Sequence, residues 1–291
     1  MFRTAFAAAA LLVSAPAFAQ TGIQSEPVGD RVEVNGMQMY YEKSGQGDPL
    51  IVLHGAYMNI PTMGAIVPKL AETHTVYALE FQGHGRTSDI DRPITYQNLA
   101  ADVAAFMETM GIEKADVFGY SMGAIAGLRL AIDHPEKVNQ LISASGAYDL
   151  RGWQPEFTAV IPTLTPDMLA GTVMEDSYRE LAANPEGFRA LAEKLIALEH
   201  EPMAWEAELK ALTAPVLIIA GDADVATLEH SVAMFNLLGG GVMGDMGVPL
   251  PASRLAILPA TAHTAIIGQT DLLHAFIEPF LQGETPKGMF E

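Results

Sequence analysis

No cysteine occurs among the 291 residues, which excludes a disulfide framework and any thiol nucleophile. Positive charge is scarce: 16 Lys and Arg stand against 35 Asp and Glu, a formal net charge of −19. A surface of that sign repels phosphate backbones and anionic headgroups, so neither nucleic-acid binding nor electrostatic docking on a membrane is expected. Long apolar runs are missing after the first twenty or so positions, so no later segment is expected to span a bilayer. No internal repeat is visible. What remains is ordinary for a globular chain with a substantial core: 49% hydrophobic and 18% charged residues.

The one long apolar run stands at the start. Met1 to Ala19 carries an early Arg3, an alanine- and leucine-rich stretch, and Ala17-Phe18-Ala19 at its end. That is the pattern of a secretory signal peptide cut before Gln20, and the run is short for a membrane anchor. The expectation is an exported protein, periplasmic or extracellular.

Along the rest of the chain, apolar runs and helical spacings alternate. Val32 to Val34 and Met37 to Tyr41 alternate polar and apolar about Asn35-Gly36, a strong hairpin signal. Leu50–Leu53, Val76–Leu79, Val117-Phe118, Leu141-Ile142, Val216–Ile219 and Leu255–Leu258 read as strands. Pro61–Leu70, Leu99–Met110, Ile125–Ile132 and Leu272–Leu281 read as helices, with Gly111 and Pro135 closing two of them. This alternation specifies a mostly parallel sheet covered on both sides. Asp149 to Lys210 breaks it with helical patterns, several prolines and no convincing strand, so a helical cap is expected after the sixth strand. Leu238 to Pro251, rich in glycine, reads as a loop.

Chemistry concentrates at a few positions. Gly119-Tyr120-Ser121-Met122-Gly123 joins the strand at Val117-Phe118 to the next helix, the setting of a nucleophile elbow. A serine hydroxyl needs a base to take its proton and a third group to orient that base. Of eight histidines, His263 is best placed, directly after the last buried strand, where parallel sheets carry functional loops. His274 reads as a helix-surface residue and His134 as a helix end, while His74, His200 and His230 lack supporting motifs. Glu199-His200-Glu201 lacks the histidine pair of a zinc-protease helix, and no metal or cofactor is expected. For the orienting acid, Asp224 in Gly221-Asp222-Ala223-Asp224 leads; Asp222 reads as a turn residue and Asp149 is the outside candidate. Backbone N–H donors for an oxyanion are expected from Met122 and from Ala56, with Tyr57 in reserve.

Taken together, Leu53-His54-Gly55, Gly83-His84-Gly85-Arg86-Thr87-Ser88, the elbow, Gly221-x-x-Asp224 and His263 resemble the α/β-hydrolase superfamily from about Val32 to Leu281. The resemblance implies an eight-stranded, mostly parallel sheet, a cap domain and a Ser–His–Asp triad working through an acyl-enzyme. On that basis His84 is structural, and Glu80 stands where many relatives have aspartate. The domain reading is a signal peptide at 1–19, a hydrolase core at 20–149 and 213–291, and a helical cap at 150–212.

Ser121 occupies the position of the aspartate nucleophile of haloalkane dehalogenases and epoxide hydrolases. The glycine- and proline-rich oxyanion motif of carbon–carbon bond hydrolases is absent from 54–59. The expected activity is hydrolysis of a small or medium apolar ester or lactone. The alternatives are a non-catalytic ligand binder on the same fold, or a lyase or perhydrolase using the same serine. Tyr57, Met58, Trp153, Phe157, Met168, Met174, Met203 and Trp205 are the candidate pocket residues.

Overall fold

The computed structural model describes residues 27–244 and 249–285. The signal-peptide reading falls outside the described residues, as do 245–248 of the glycine-rich stretch. Eight strands form one sheet: β1 (Val28–Val34), β2 (Met37–Ser44), β3 (Pro49–Leu53), β4 (Thr75–Leu79), β5 (Ala115–Tyr120), β6 (Val138–Ala144), β7 (Val216–Ala223) and β8 (Arg254–Ala262). Their spatial order is β1-β2-β4-β3-β5-β6-β7-β8. β2 pairs antiparallel with β1 and β4, and every later pairing is parallel. Asn35 and Gly36 turn the first hairpin with φ of 47° and 84°, the left-handed values a two-residue turn demands, and set Val34 opposite Met37.

Among the described residues ten α-helices accompany the sheet: α1 (Ile66–Leu70), α2 (Tyr96–Thr109), α3 (Met122–Asp133), α4 (Pro155–Val160), α5 (Pro166–Leu169), α6 (Val173–Leu181), α7 (Phe188–Glu199), α8 (Glu206–Lys210), α9 (Leu228–Leu237) and α10 (Thr270–Leu281). The two-residue period of the strands divides the core. Ile51, Leu53, Val117 and Leu141 pack with Leu99, Val103 and Phe106 of α2 and Ile125 of α3. Their neighbours Leu50, Val52, Phe118 and Ile142 pack on the other face with Ile66 and Leu70 of α1 and Leu273, Ile277 and Phe280 of α10. A strand buried on both faces has no room for polar alternation, which is why these strands read as unbroken apolar runs.

Two expectations need correction. The helix expected over 61–70 is split: a 3-10 turn covers Pro61–Met63, Gly64 takes φ 63°, and α1 begins only at Ile66. Helix α9 was not expected at all. Its buried side chains are His230, Ser231 and Met234, so no apolar stripe marks it, although Thr227 caps it by accepting from His230 N–H.

Between β6 and β7 lie α4 to α8, short pieces in which proline opens α4 and α5 at the first helical positions. They touch the loops that follow β3 and β4. Asn59 Nδ2 donates to Ser177 Oγ at 2.9 Å, the Tyr57 and Phe188 rings lie 6.4 Å apart, and Lys194 Nζ sits 2.7 Å from Asp89. No helix among the described residues is long and apolar enough to cross a membrane.

Candidate active site

The chain passes from β3 outward to β4, then crosses back to β5 on the other side of β3. Loops leaving the carboxyl ends of β3 and β5 therefore diverge, opening a crevice at this reversal. Four candidate positions stand just beyond strand ends: His54 after β3, Ser121 after β5, Asp224 after β7 and His263 after β8.

Ser121 has φ 53° and ψ −119°, a strained conformation for a residue with a Cβ. The surrounding structure holds it there. Its N–H donates to Ala144 O at 2.9 Å, and its own carbonyl accepts from Ala124 and Ile125 N–H in the first turn of α3. The flanking glycines are required by close approach: a Cβ on Gly119 would lie 2.3 Å from Gly123 O, and one on Gly123 would lie 2.4 Å from Leu53 O. Backbone cannot yield as a flexible side chain can, so the elbow accepts nothing larger at either place.

His263 Nε2 lies 3.0 Å from Ser121 Oγ, and Nδ1 lies 2.6 Å from Asp224 Oδ1. A carboxylate can only accept, so Nδ1 carries the proton and Nε2 offers its lone pair to the serine hydroxyl. Tyr120 fixes the histidine from below: its ring is 5.3 Å away, and its hydroxyl donates to His263 O at 2.8 Å. Asp224 is buried. Burial alone would raise its pKa, but hydrogen bonds from His263, Ser145 Oγ and Gly221 N–H outweigh it and hold the carboxyl below its ordinary range. Val225 N–H donates to the same carboxylate at 2.7 Å.

The other acids fall elsewhere. Asp222 accepts from Ala260 and Thr261 N–H, so it ties β7 to the end of β8 as well as bonding its own backbone. Asp149 is taken up by Arg151. His230 stacks on Tyr148 and accepts from its N–H.

The loop after β3 is held by His54. Its Nδ1–H donates to Gly55 O at 2.7 Å, and Nε2 accepts from Phe81 N–H at 3.1 Å. His84 packs 4.9 Å from the His54 ring and donates from Nδ1 to Gln82 O. Glu80, fully buried, accepts from Ile60 N–H, Arg86 N–H and the Arg86 guanidinium, and so links the loops after β3 and β4. Ala56 N–H and Met122 N–H, the latter at the first position of α3, make no hydrogen bond to the described residues.

The candidate pocket residues divide. Phe157 lines an open groove of about 560 Å³ with Gln154, Val160, Asp224 and His263. Met58 lines another, about 390 Å³, with Tyr120 and Ile267. Trp153 is buried against Phe157, its rings 5.6 Å apart. Tyr57 takes φ 61° and turns its ring toward Phe188 of α7. Met203 is buried in the core, and Trp205 packs edge-on to Tyr96 with the Arg129 guanidinium 5.2 Å from its ring centre. Met168 and Met174 are exposed.

One residue at this end of the sheet escaped the sequence reading. Ser145, left-handed at φ 54° just after β6, donates to Asp224 Oδ2 at 2.5 Å. Burial, with the Glu199 charge adding to it, raises the pKa of the Tyr57 and Tyr96 hydroxyls. Among the described residues, no group of three or more His, Asp or Glu is arranged to hold a metal ion.

Residues 48–173 match the family model for the alpha/beta hydrolase fold. A pimeloyl-[acyl-carrier protein] methyl ester esterase of Aeromonas hydrophila is 27% identical over 263 residues, covering 84% of this chain and all of that protein. A 3-oxoadipate enol-lactonase of Acinetobacter baylyi is 26% identical, covering 68% of this chain and 80% of its own. The solved enol-lactonase of Burkholderia xenovorans shares the fold with a TM-score of 0.65 at 19% identity, covering 87% of this chain and all of that one. Sheet order, family match and solved neighbours agree: this chain has the α/β-hydrolase fold.

Proposed function

We propose that the protein is a serine hydrolase that cleaves small or medium carboxylic esters or lactones through an acyl-enzyme. The observation that carries this reading is the unbroken relay from Ser121 through His263 to a buried, four-fold hydrogen-bonded Asp224. Ser121 Oγ attacks the carbonyl carbon as His263 Nε2 takes its proton. Asp224 steadies the imidazolium that results, and the Ala56 and Met122 N–H groups receive the oxyanion. Collapse of the tetrahedral intermediate expels the alcohol, protonated by His263. Water activated by the same nitrogen then releases the acid and frees Ser121.

The free N–H groups of Ala56 and Met122 support this assignment: Met122 is buried, where an unpaired donor is costly unless a ligand answers it, and part-buried Ala56 offers a second donor among the described residues. The apolar linings around Phe157, Val160, Met58 and Ile267 favour apolar acyl or alcohol parts. We assign α4 to α8 as a cap over the site and residues 1–19 as an export signal. The test is intact mass after treatment with a fluorophosphonate. One adduct on the wild type and none on Ser121→Ala is expected; an adduct on both, or on neither, would sink the reading.

Ser145 acts in this scheme as a positioning residue, holding the Asp224 oxygen that His263 does not use. A hydrogen bond to a buried carboxylate is worth about 1.5–3 kcal/mol. Ser145→Ala is therefore expected to lower kcat about tenfold while KM stays within twofold. A change confined to KM would contradict the assignment.

A further inference from the structure

His263 has to meet Ser121 across the sheet. The serine follows β5 and the histidine follows β8, with β6 and β7 between them. Three strand spacings, about 14 Å, separate the two strands that carry these groups. The ladder does not fix that span. The β7–β8 pairing shifts between Gly221 and Ala223, and Ala260 in the irregular stretch takes φ 52°. Asp222 holds the N–H groups of Ala260 and Thr261, but its hold stops two residues short of the histidine. Asp224 grips the imidazole ring and leaves the backbone beneath it free.

That backbone is held from the nucleophile's side. Tyr120, the residue before Ser121, donates its hydroxyl to His263 O at 2.8 Å, and its ring lies 5.3 Å from the imidazole. Among the described residues the same carbonyl otherwise accepts only from Ile266 N–H, at 3.4 Å. Tyr120 is buried, which raises the pKa of its phenol, so the hydroxyl keeps its proton and donates. Its ring also lies against the loop after β3, where a Cβ on Gly55 would stand 3.2 Å from Tyr120 Cδ1 and Cε1. One side chain thus adjoins the serine, touches the loop that carries Ala56 and ties down the base.

We infer that Tyr120 is a positioning residue that sets the reach of His263 Nε2 to Ser121 Oγ. The inference rests on the serine-hydrolase reading. The hydroxyl meets a backbone carbonyl and no reacting atom; it acts by fixing the chain from which the imidazole hangs, 3.0 Å from Oγ. A misplacement of about 1 Å costs on the order of a hundredfold in rate. Removing the tie while the ring stays in place loosens the base without displacing it fully, so a loss of about tenfold is expected.

Tyr120→Phe deletes one oxygen and keeps the packing of the ring. The experiment is saturation kinetics of labelling by a fluorophosphonate, followed by intact mass, which requires no knowledge of the natural ester. The maximal labelling rate should fall about tenfold, while the half-saturating concentration stays within about twofold. In a His263→Ala background there is no base to position, and the same change should alter the labelling rate by less than about twofold. A maximal rate in Tyr120→Phe close to that of wild type would overturn the inference and leave the hydrolase reading standing. So would an equal loss in the His263→Ala background, since the hydroxyl would then act other than through the base. A wild type that takes no label at Ser121 would overturn both.

Discussion

Ser121→Ala is expected to lower kcat by about 10⁴ to 10⁶, equivalent to roughly 5.5–8 kcal/mol of transition-state stabilisation. The magnitude follows from what stays behind. Alanine removes the only atom that can form the acyl-enzyme, while the Ala56 and Met122 N–H groups and the grooves beside His263 remain to bind ester and polarise its carbonyl. That remainder sets the floor of activity, and the measurement requires active-site titration to exclude traces of wild type.

Fold stability should change by less than about 1 kcal/mol, because Ser121 Oγ makes its one hydrogen bond to His263 and the strained backbone is held by Ala144 O and the start of α3. A loss below tenfold would mean that another group attacks. A large loss accompanied by a collapsed thermal transition would mean that the variant fails to fold, and nothing about Ser121 chemistry could be concluded from kcat alone.

Acid should unfold the protein over a window set by buried histidines. Burial lowers His54 to about 4, His84 to about 3 and His230 to about 4, against an ordinary value of 6.5. The bonding explains why a second proton is refused. His54 Nε2 and His230 Nε2 accept backbone N–H groups, and buried His84 Nε2 has no acceptor to receive a new proton. At His84 the adjacent His54 adds to the penalty.

The sign is fixed by which state binds more protons. Between pH 6.5 and about 4 the unfolded chain takes up protons that the folded chain refuses, so stability falls as pH falls. Each unit of depression is worth about 1.4 kcal/mol, so His54 alone contributes on the order of 3 kcal/mol. Three such groups rival the whole stability of a typical domain, about 5–15 kcal/mol. Buried Asp116 and part-buried Glu201, whose pKa values desolvation raises, partly offset this by accepting protons more readily when folded. The urea midpoint should therefore drop steeply from pH 6.5 to 4. A midpoint constant over that range would refute the account.

Much of the arrangement could be read from the chain because its signals are local. Strands buried on both faces must be apolar throughout, so β3, β5 and β7 announce themselves. The elbow glycines 119 and 123 must be small whatever the rest of the fold does. Position relative to a strand end then separates His263 and Asp224 from their rivals. What escaped notice depends on tertiary contacts. Ser145 sits in Ala144-Ser145-Gly146, a stretch without a motif, and acquires its place only when β6 and β7 lie side by side. Helix α9 buries a histidine and a serine, so no hydrophobic period betrays it. Trp205 reads as a pocket aromatic from its place beside a loop, but it is buried and packed against Tyr96 and Arg129.

The relay joins groups 142 residues apart, and one of them hangs from β8, the edge strand of the sheet. Contacts of such long range close late, after the entropy of the intervening chain has been overcome. A molecule can therefore possess its elbow, most of its sheet and nearly all its helices while β8 is still undocked and Ser121 has no base. During refolding, helical content should recover ahead of turnover. The fraction of molecules able to turn over substrate is accordingly a stricter gauge of the native state than any measure of secondary structure.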